Sequence, residues 1–300
     1  MAPHHTTHDS HARNIETVAY VVEHAGADFA LQNIVLDGPQ GNEYLIEMKY
    51  TGICHTDLIC QTGSAPSLQF PAILGHEGAG YIRAIGDGVQ RTDIEVGEFV
   101  LLSFNFCGEC KRCRRHQPAT CLDGGKLHIG AVRANGGPPP ARLKDGRSVQ
   151  SSFFGQSSFA AMSVVDATCV AMRYPYDPED AAIFAACGCG FQTGAGTVLN
   201  VLKPQQDDSI VVFGLGGVGL TALMAAKYLG LHHIIAVDIN PGRLELAKEL
   251  GATHALNSKD VEDMVTALRE ISDGGVDFAI DCVGEYARQR MHACRIREAD

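Results

Sequence analysis

Four cysteines crowd into one short segment: Cys107, Cys110, Cys113 and Cys121, spaced C-x2-C-x2-C-x7-C. Four thiolates at that density can wrap one Zn²⁺ tetrahedrally and leave no position for water, as a structural site requires. Gly108, Glu109, Lys111 and Arg112 between them suit a tight surface turn. A pair of disulfides is the competing reading, and spacings inside the zinc-ligand range disfavour it. Other ligand types lie elsewhere: Cys54 in TGICHTD, His76 in GHEGAG, and Cys187 and Cys189 in CGCGF. One imidazole with two thiolates leaves a fourth tetrahedral position open, the mark of a catalytic zinc. Taken singly, a cysteine reads as a small buried hydrophobe. The set is informative because it accompanies a nucleotide-binding pattern.

That pattern is Gly214-Leu215-Gly216-Gly217-Val218-Gly219, a G-x-G-x-x-G string after an apolar run and at the start of a helical one. Gly214, Gly216, Gly217 and Gly219 let the backbone turn and approach a pyrophosphate at a helix N-terminus, where free N–H groups favour anions. Asp238 ends the next apolar run and can accept hydrogen bonds from ribose hydroxyls. Its carboxylate repels a 2′-phosphate, which favours NAD over NADP. Arg243 nearby argues the other way, with less weight.

The elements that must carry these groups change rhythm midway. Up to about Cys189 the chain reads as short strands cut by glycine-rich turns, with examples at Glu16–Glu23, Glu43–Gly52, Gly78–Ile85 and Glu98–Leu102. Gly124–Val149, with Pro138-Pro139-Pro140, reads as a loop excursion. Beyond Phe191, strands and helices alternate: strands at Ser209–Gly214, His233–Asp238, His254–Leu256 and Phe278–Val283, helices at Val218–Leu229, Gly242–Leu250 and Val261–Arg269. The fold class is therefore β followed by α/β, a barrel-like half and then a doubly wound parallel sheet. Residues 1–14 read as a disordered tail, 15–190 as the metal-binding domain and 191–300 as the nucleotide domain. A net charge of −11 argues against nucleic acid and anionic membranes as partners. No apolar stretch approaches the ~20 residues a membrane span needs. Eleven cysteines without an export signal suit a reducing compartment, the cytoplasm.

The chain resembles the zinc-dependent medium-chain alcohol dehydrogenases from about residue 15 to 284. TGICHTD, GHEGAG, the four-cysteine loop and VVFGLGGVGL match in order and spacing, and CGCGFQTGAG with FFGQSSFA looks most like the aryl or benzyl alcohol branch. The resemblance implies a GroES-like barrel followed by a Rossmann domain, two Zn²⁺ per chain and NAD. It assigns Cys54, His76 and Cys189 to the catalytic zinc, preferring Cys189 to Cys187, with Glu77 close enough to enter the coordination sphere transiently. Asp57 would orient His76, His55 would face the cofactor pyrophosphate and Val218 would back the nicotinamide. The implied reaction moves hydride between a primary alcohol and NAD, with the Thr56 hydroxyl taking the alcohol proton and passing it to the nicotinamide ribose. Many relatives end that proton path at a histidine where this chain has Ile59, which leaves the outward route to solvent or another group. Phe104, Phe106, Phe153 and Phe154 fall where the family lines its cleft; packing inside the barrel is the alternative for each.

Two rival functions remain: glutathione-dependent formaldehyde oxidation, and an inactive zinc- and nucleotide-binding protein. A full fold of this type has six parallel strands where about four are legible here. The resemblance therefore implies that a C-terminal portion is missing, including the usual edge for a homo-oligomer. Glu285–Asp300, with four arginines and little amphipathic order, reads as an off-frame or truncated end. That would leave the strand Phe278–Val283 as a bare edge.

Overall fold

Alternation of buried and exposed residues builds the first part of the chain, as in the outward and inward turns of Ile15–Val22. The computed structural model describes residues 14–272 and 274–284; the readings of the N-terminal tail before Asn14 and of Glu285–Asp300 lie outside the described residues. The chain divides into two compact units, residues 1–189 and 190–300.

Among the described residues the first unit holds ten strands: β1 (Ile15–Val22), β2 (Ala30–Leu36), β3 (Glu43–Thr51), β4 (Ala72–Ile73), β5 (Gly78–Ile85), β6 (Phe99–Leu102), β7 (Ala141–Leu143), β8 (Ser148–Val149), β9 (Met162–Asp166) and β10 (Val170–Arg173). They form two five-stranded sheets, β4-β1-β2-β7-β8 and β10-β6-β5-β3-β9, with antiparallel pairing between neighbouring strands. Residues just ahead of β9 join the two sheets. The Tyr20 N–H donates to the Phe159 carbonyl and the Ala161 N–H to the Val18 carbonyl, each at 2.9 Å, which nearly closes a barrel. β3 shows how the period of two fills both sides. Tyr44 and Ile46 enter one apolar cluster with Ile82 and Val100, while Leu45 enters another with Val21 and Ile34.

Among the described residues three short α-helices, with several 3-10 turns, complete this unit: α1 (His55–Gln61), α2 (Gly124–His128) and α3 (Ala181–Phe184). The Gly124–Val149 stretch is thus not wholly a loop, because it contains α2, β7 and β8. β7 pairs with β2 in the register Ile34 opposite Leu143, and Leu127 of α2 is buried. Tertiary pairing has overridden the glycine- and proline-rich composition. The remaining excursion is pinned by Arg133, whose buried guanidinium donates to both Glu43 carboxylate oxygens at 2.6 Å.

The second unit comprises α4 (Gly190–Gly196), β11 (Ser209–Phe213), α5 (Gly217–Tyr228), β12 (His233–Asp238), α6 (Pro241–Leu250), β13 (His254–Asn257), α7 (Met264–Ile271) and β14 (Phe278–Asp281). The strands run parallel in the order β13-β12-β11-β14. Every residue of β11 is buried, the continuous apolar run expected of a strand covered on both faces. Ile210 and Val212 pack with Leu223 and Ala226 of α5 and Leu244 of α6. Val211 and Phe213 point the other way, onto Met264 and Leu268 of α7. That is the doubly wound layering read from the sequence.

Candidate active site and nucleotide-binding loop

Asp57 organises the first candidate metal site. It sits wholly buried in the first turn of α1, whose N-cap is Cys54. One carboxylate oxygen, Oδ2, accepts the Cys54 N–H at 2.9 Å. The other, Oδ1, accepts the Gly75 N–H at 3.1 Å and faces His76 Nδ1 at 3.0 Å. A single side chain thereby fixes two candidate ligands that are distant in sequence. It also sets the imidazole tautomer, with the proton on Nδ1 and Nε2 left to bind.

His76 Nε2 is buried and has no hydrogen-bond partner among the described residues. Around it stand Cys54, Glu77 and Cys189, and the ligand atoms of all four residues lie within 4.8 Å of one another. The Cys54 and Cys189 sulfurs are 4.0 Å apart. An orphaned buried nitrogen among soft thiolates is a donor set suited to zinc. The charges agree. The Cys189 thiol first, and then the His76 imidazole close by, hold the Cys54 thiol well below its usual range despite burial, helped by the Thr56 N–H and hydroxyl. The Cys54 thiolate in turn pushes Cys189 up. Burial opposes a charge on His76, but Asp57 and Cys54 outweigh it and raise the imidazole to about 9. The field at this point favours a cation.

Cys189 reaches the cluster through a close backbone approach. A Cβ on Gly188 would sit 1.9 Å from the Leu102 carbonyl oxygen, so only glycine lets this segment press against β6. The Ser103 hydroxyl donates to the Gly188 carbonyl at 2.8 Å and holds it there. Cys187, the other thiol of this motif, stands outside the four-residue group. His55 is exposed, Thr56 half-buried and Ile59 exposed.

The four-cysteine loop forms a second cluster, with Cys107, Cys110, Cys113 and Cys121 mutually within 4.8 Å. Its sulfurs approach at 3.5 Å (Cys107–Cys121), 3.6 Å (Cys110–Cys113) and 3.9 Å (Cys107–Cys113). Backbone N–H groups of Leu122 and Cys113 lower Cys110 to about 6, so one thiolate is already favoured. The cluster can hold a zinc with no position left open.

Of the four phenylalanines, Phe153 is fully buried in a core cluster and packs, while Phe154 stacks on the His76 ring at 4.6 Å between centroids. Phe104 lies edge-on to His128 at 5.5 Å. Neither His128 nor the stacking role of Phe154 carried a local sequence signal.

In the second unit, Gly214 has φ +85° and Gly216 is the N-cap of α5. A Cβ on Gly219 would strike the Gly214 carbonyl at 2.0 Å, so the loop closes on itself only with glycine there. Gly216, by contrast, has open space where a Cβ would go, room for a phosphate against the helix N-terminus. Gly217 packs beneath the Phe191 ring and Val218 is half-buried. Asp238 is buried and does more than the sequence suggested. Its Oδ2 accepts the Leu215 N–H at 2.7 Å and its Oδ1 the Asn240 N–H at 2.9 Å, so it shapes the glycine loop. Arg243 Nη1 lies 3.7 Å from Asp238 Oδ2.

A barrel carrying a Cys-His-Cys cluster and a thiolate loop, followed by a parallel sheet with this glycine turn, defines a class. Residues 40–173 match the alcohol dehydrogenase GroES-like domain and residues 217–297 the zinc-binding dehydrogenase domain. The chain is 38% identical to the geraniol dehydrogenase of Castellaniella defragrans over 90% of its own length and 70% of that protein's. It is 35% identical to the S-(hydroxymethyl)glutathione dehydrogenase of Saccharomyces cerevisiae, over 93% and 73% of the two chains. The crystal structure of benzyl alcohol dehydrogenase from Acinetobacter calcoaceticus superposes with a TM-score of 0.82 at 41% identity, covering 92% of this chain and 72% of that one. The chain belongs to the zinc-dependent medium-chain alcohol dehydrogenase family, a family of oxidoreductases with a GroES-like domain and a Rossmann domain.

Proposed function

We propose that this protein oxidises a primary alcohol of the aryl or similarly bulky apolar class to its aldehyde, with NAD as the hydride acceptor. The observation that carries the reading is the unpartnered Nε2 of buried His76, facing the sulfurs of Cys54 and Cys189. Bound at Cys54, His76 and Cys189, zinc would supply Lewis-acid polarisation of the alcohol oxygen, and NAD would supply the hydride-accepting ring. The chain's own residues do the rest. Asp57 holds the imidazole in register and keeps Nε2 free for the metal. Glu77, buried beside the ligands, is an alternative oxygen donor that can exchange into the cluster. The Thr56 hydroxyl would relay the alcohol proton, accepting it while releasing its own toward the ribose of the bound nucleotide and from there to solvent. Phe154, stacked on His76, shields that side of the cluster from water. Asp238 accepts from the ribose hydroxyls and disfavours a 2′-phosphate. The four-cysteine loop holds a second, structural zinc.

Relatives named for geraniol and benzyl alcohol support a bulky substrate, and the thiolate ligands fit a reducing cytoplasm. The test is metal analysis of the purified protein, NADH binding, and NAD reduction over a panel running from ethanol to benzyl alcohol and geraniol, with and without glutathione and formaldehyde. Two zincs per chain and turnover rising with apolar bulk support the reading. Turnover only with glutathione and formaldehyde would transfer it to the activity named for the yeast relative. Two zincs with tight NADH binding and no turnover would leave an inert binding protein.

A further inference from the structure

Two rings link the metal clusters of the first unit. Phe154 stacks on His76 with centroids 4.6 Å apart and planes at 25°. His128 stacks on the same Phe154 ring at 4.9 Å and 13°. His128 is in turn held by the four-cysteine segment on both of its sides. It ends α2, whose first N–H, from Gly124, donates to the carbonyl of Cys121 at 3.1 Å. Its Nε2 lies 2.7 Å from the carbonyl oxygen of Asn105, two residues before Cys107, in position to donate to it, and Phe104 packs edge-on against it.

The backbone at Phe154 is under strain. Its φ and ψ are 49° and 28°, left-handed values that a bulky side chain avoids. They persist because the neighbours leave no alternative. The Cys169 thiol donates to the Phe154 carbonyl at 3.2 Å, and Gly155 follows at φ +73° with room for no Cβ, which would meet the Asn105 side chain at 2.5 Å. Strain held this firmly beside a metal ligand is the kind that positions a site. The same Asn105 takes part at both places, as backbone acceptor for His128 and as the side chain against Gly155.

We propose that Phe154 and His128 are positioning residues that couple the four-cysteine loop to His76, so that metal in the loop sets the geometry and retention of metal at Cys54, His76 and Cys189. This rests on the reading of those three residues as a metal site. With the loop collapsed around its zinc, Asn105 and Cys121 fix both approaches to His128. His128 then holds Phe154 flat on the imidazole, while Asp57 fixes the imidazole from its Nδ1 edge. With the loop empty, His128 loses its frame, and His76 keeps only the hydrogen-bonded half of its support.

The test uses the full chain carrying zinc in the loop and Co²⁺ in the open site, whose visible absorption reports coordination geometry. Release to a chelator is followed through loss of that band, and loop zinc separately with a zinc dye. Phe154→Leu and His128→Ala should shift the band and speed Co²⁺ release about tenfold, the lower end of what an outer partner of a metal ligand contributes. His128→Phe keeps a flat ring on Phe154 but lacks the bond to Asn105, and should release Co²⁺ faster than wild type and more slowly than His128→Ala. Emptying the loop with Cys113→Ser should speed Co²⁺ release about tenfold in the wild-type background and have no further effect beside His128→Ala. Wild-type bands and release rates in folded Phe154→Leu and His128→Ala overturn the coupling, as does an equal effect of Cys113→Ser in both backgrounds. If Cys113→Ser does not fold, the first two variants decide alone. A wild-type chain that takes up no Co²⁺ outside the loop overturns instead the assignment of Cys54, His76 and Cys189.

Discussion

Replacing Asp57 by asparagine tests how the site is preorganised. The carboxylate serves the Cys54 and Gly75 N–H groups and His76 Nδ1, at 2.9, 3.1 and 3.0 Å. An asparagine keeps most of this if its oxygen replaces Oδ1, which retains Gly75 and His76. Its NH2 group then faces the Cys54 N–H, donor against donor, at a wholly buried position. One buried donor left without an acceptor costs about 1–3 kcal/mol. The imidazole also loses the carboxylate that makes its Nε2 a stronger ligand, which lowers metal affinity by about 10–100-fold, or roughly 1.4–2.7 kcal/mol. Both numbers can be read on one protein. Zinc affinity comes from competition with a chromophoric chelator, and stability from urea unfolding of the metal-free chain. Zinc bound by the four-cysteine loop, on the reading proposed above, is the internal control and should not change. Zinc retained within about twofold of wild type, with an unchanged unfolding midpoint, would refute the claim that Asp57 orders Cys54 and His76 together.

Gly188→Ala places a methyl 1.9 Å from the Leu102 carbonyl and must displace the segment carrying Cys189. It should cost about 1–3 kcal/mol in a thermal melt and empty the open metal site while the loop keeps its zinc. Thr56→Ala should lower turnover by about 10²-fold or more, as loss of a proton acceptor does. Ile59→Ala, at an exposed position, should leave turnover near wild type; comparable losses would dismiss Thr56 as the acceptor. Burial lowers the His128 imidazole from its ordinary 6.5, opposed by its bond to Asn105 and reinforced by His76. The unfolded chain therefore takes that proton first, and stability is lost as pH falls below 6.5, by at most about 1.4 kcal/mol per pH unit. Urea midpoints between about pH 5 and 7 should be flatter in His128→Phe than in wild type.

Features written in local spacing are legible in the sequence itself. β5 and β12 fall where their apolar periods end, and the four-cysteine loop and the glycine turn announce themselves within a few residues each. Elements whose stability comes from elsewhere are not legible in this way. α1 begins at a cysteine, a poor N-cap by type, and is closed by an acid at its third position that also serves His76. α2 opens with two glycines, the weakest helix formers short of proline. It forms where Leu127 is buried and Gly124 is tied to Cys121.

The site divides along the same line. Ligand types can be read from the chain, but CGCGF offers two thiols with equal chemistry. What sets Cys189 beside Cys54 is the contact of Gly188 with the backbone of β6, a long-range fact that no spacing encodes. Phe154 and His128 lie further still from legibility. Neither falls in a recognisable zinc-ligand pattern, and the role proposed for each runs through the ring it rests on. Asp238 makes the complementary point. Its position at a strand end gave it a ribose-binding role, whereas its bonds to Leu215 and Asn240 show that it first builds the turn that would receive the pyrophosphate. A residue that both shapes a loop and faces its ligand cannot be exchanged for a shorter acceptor without losing both. Asp238→Ser should thus weaken NAD binding more than removal of a ribose hydrogen bond alone.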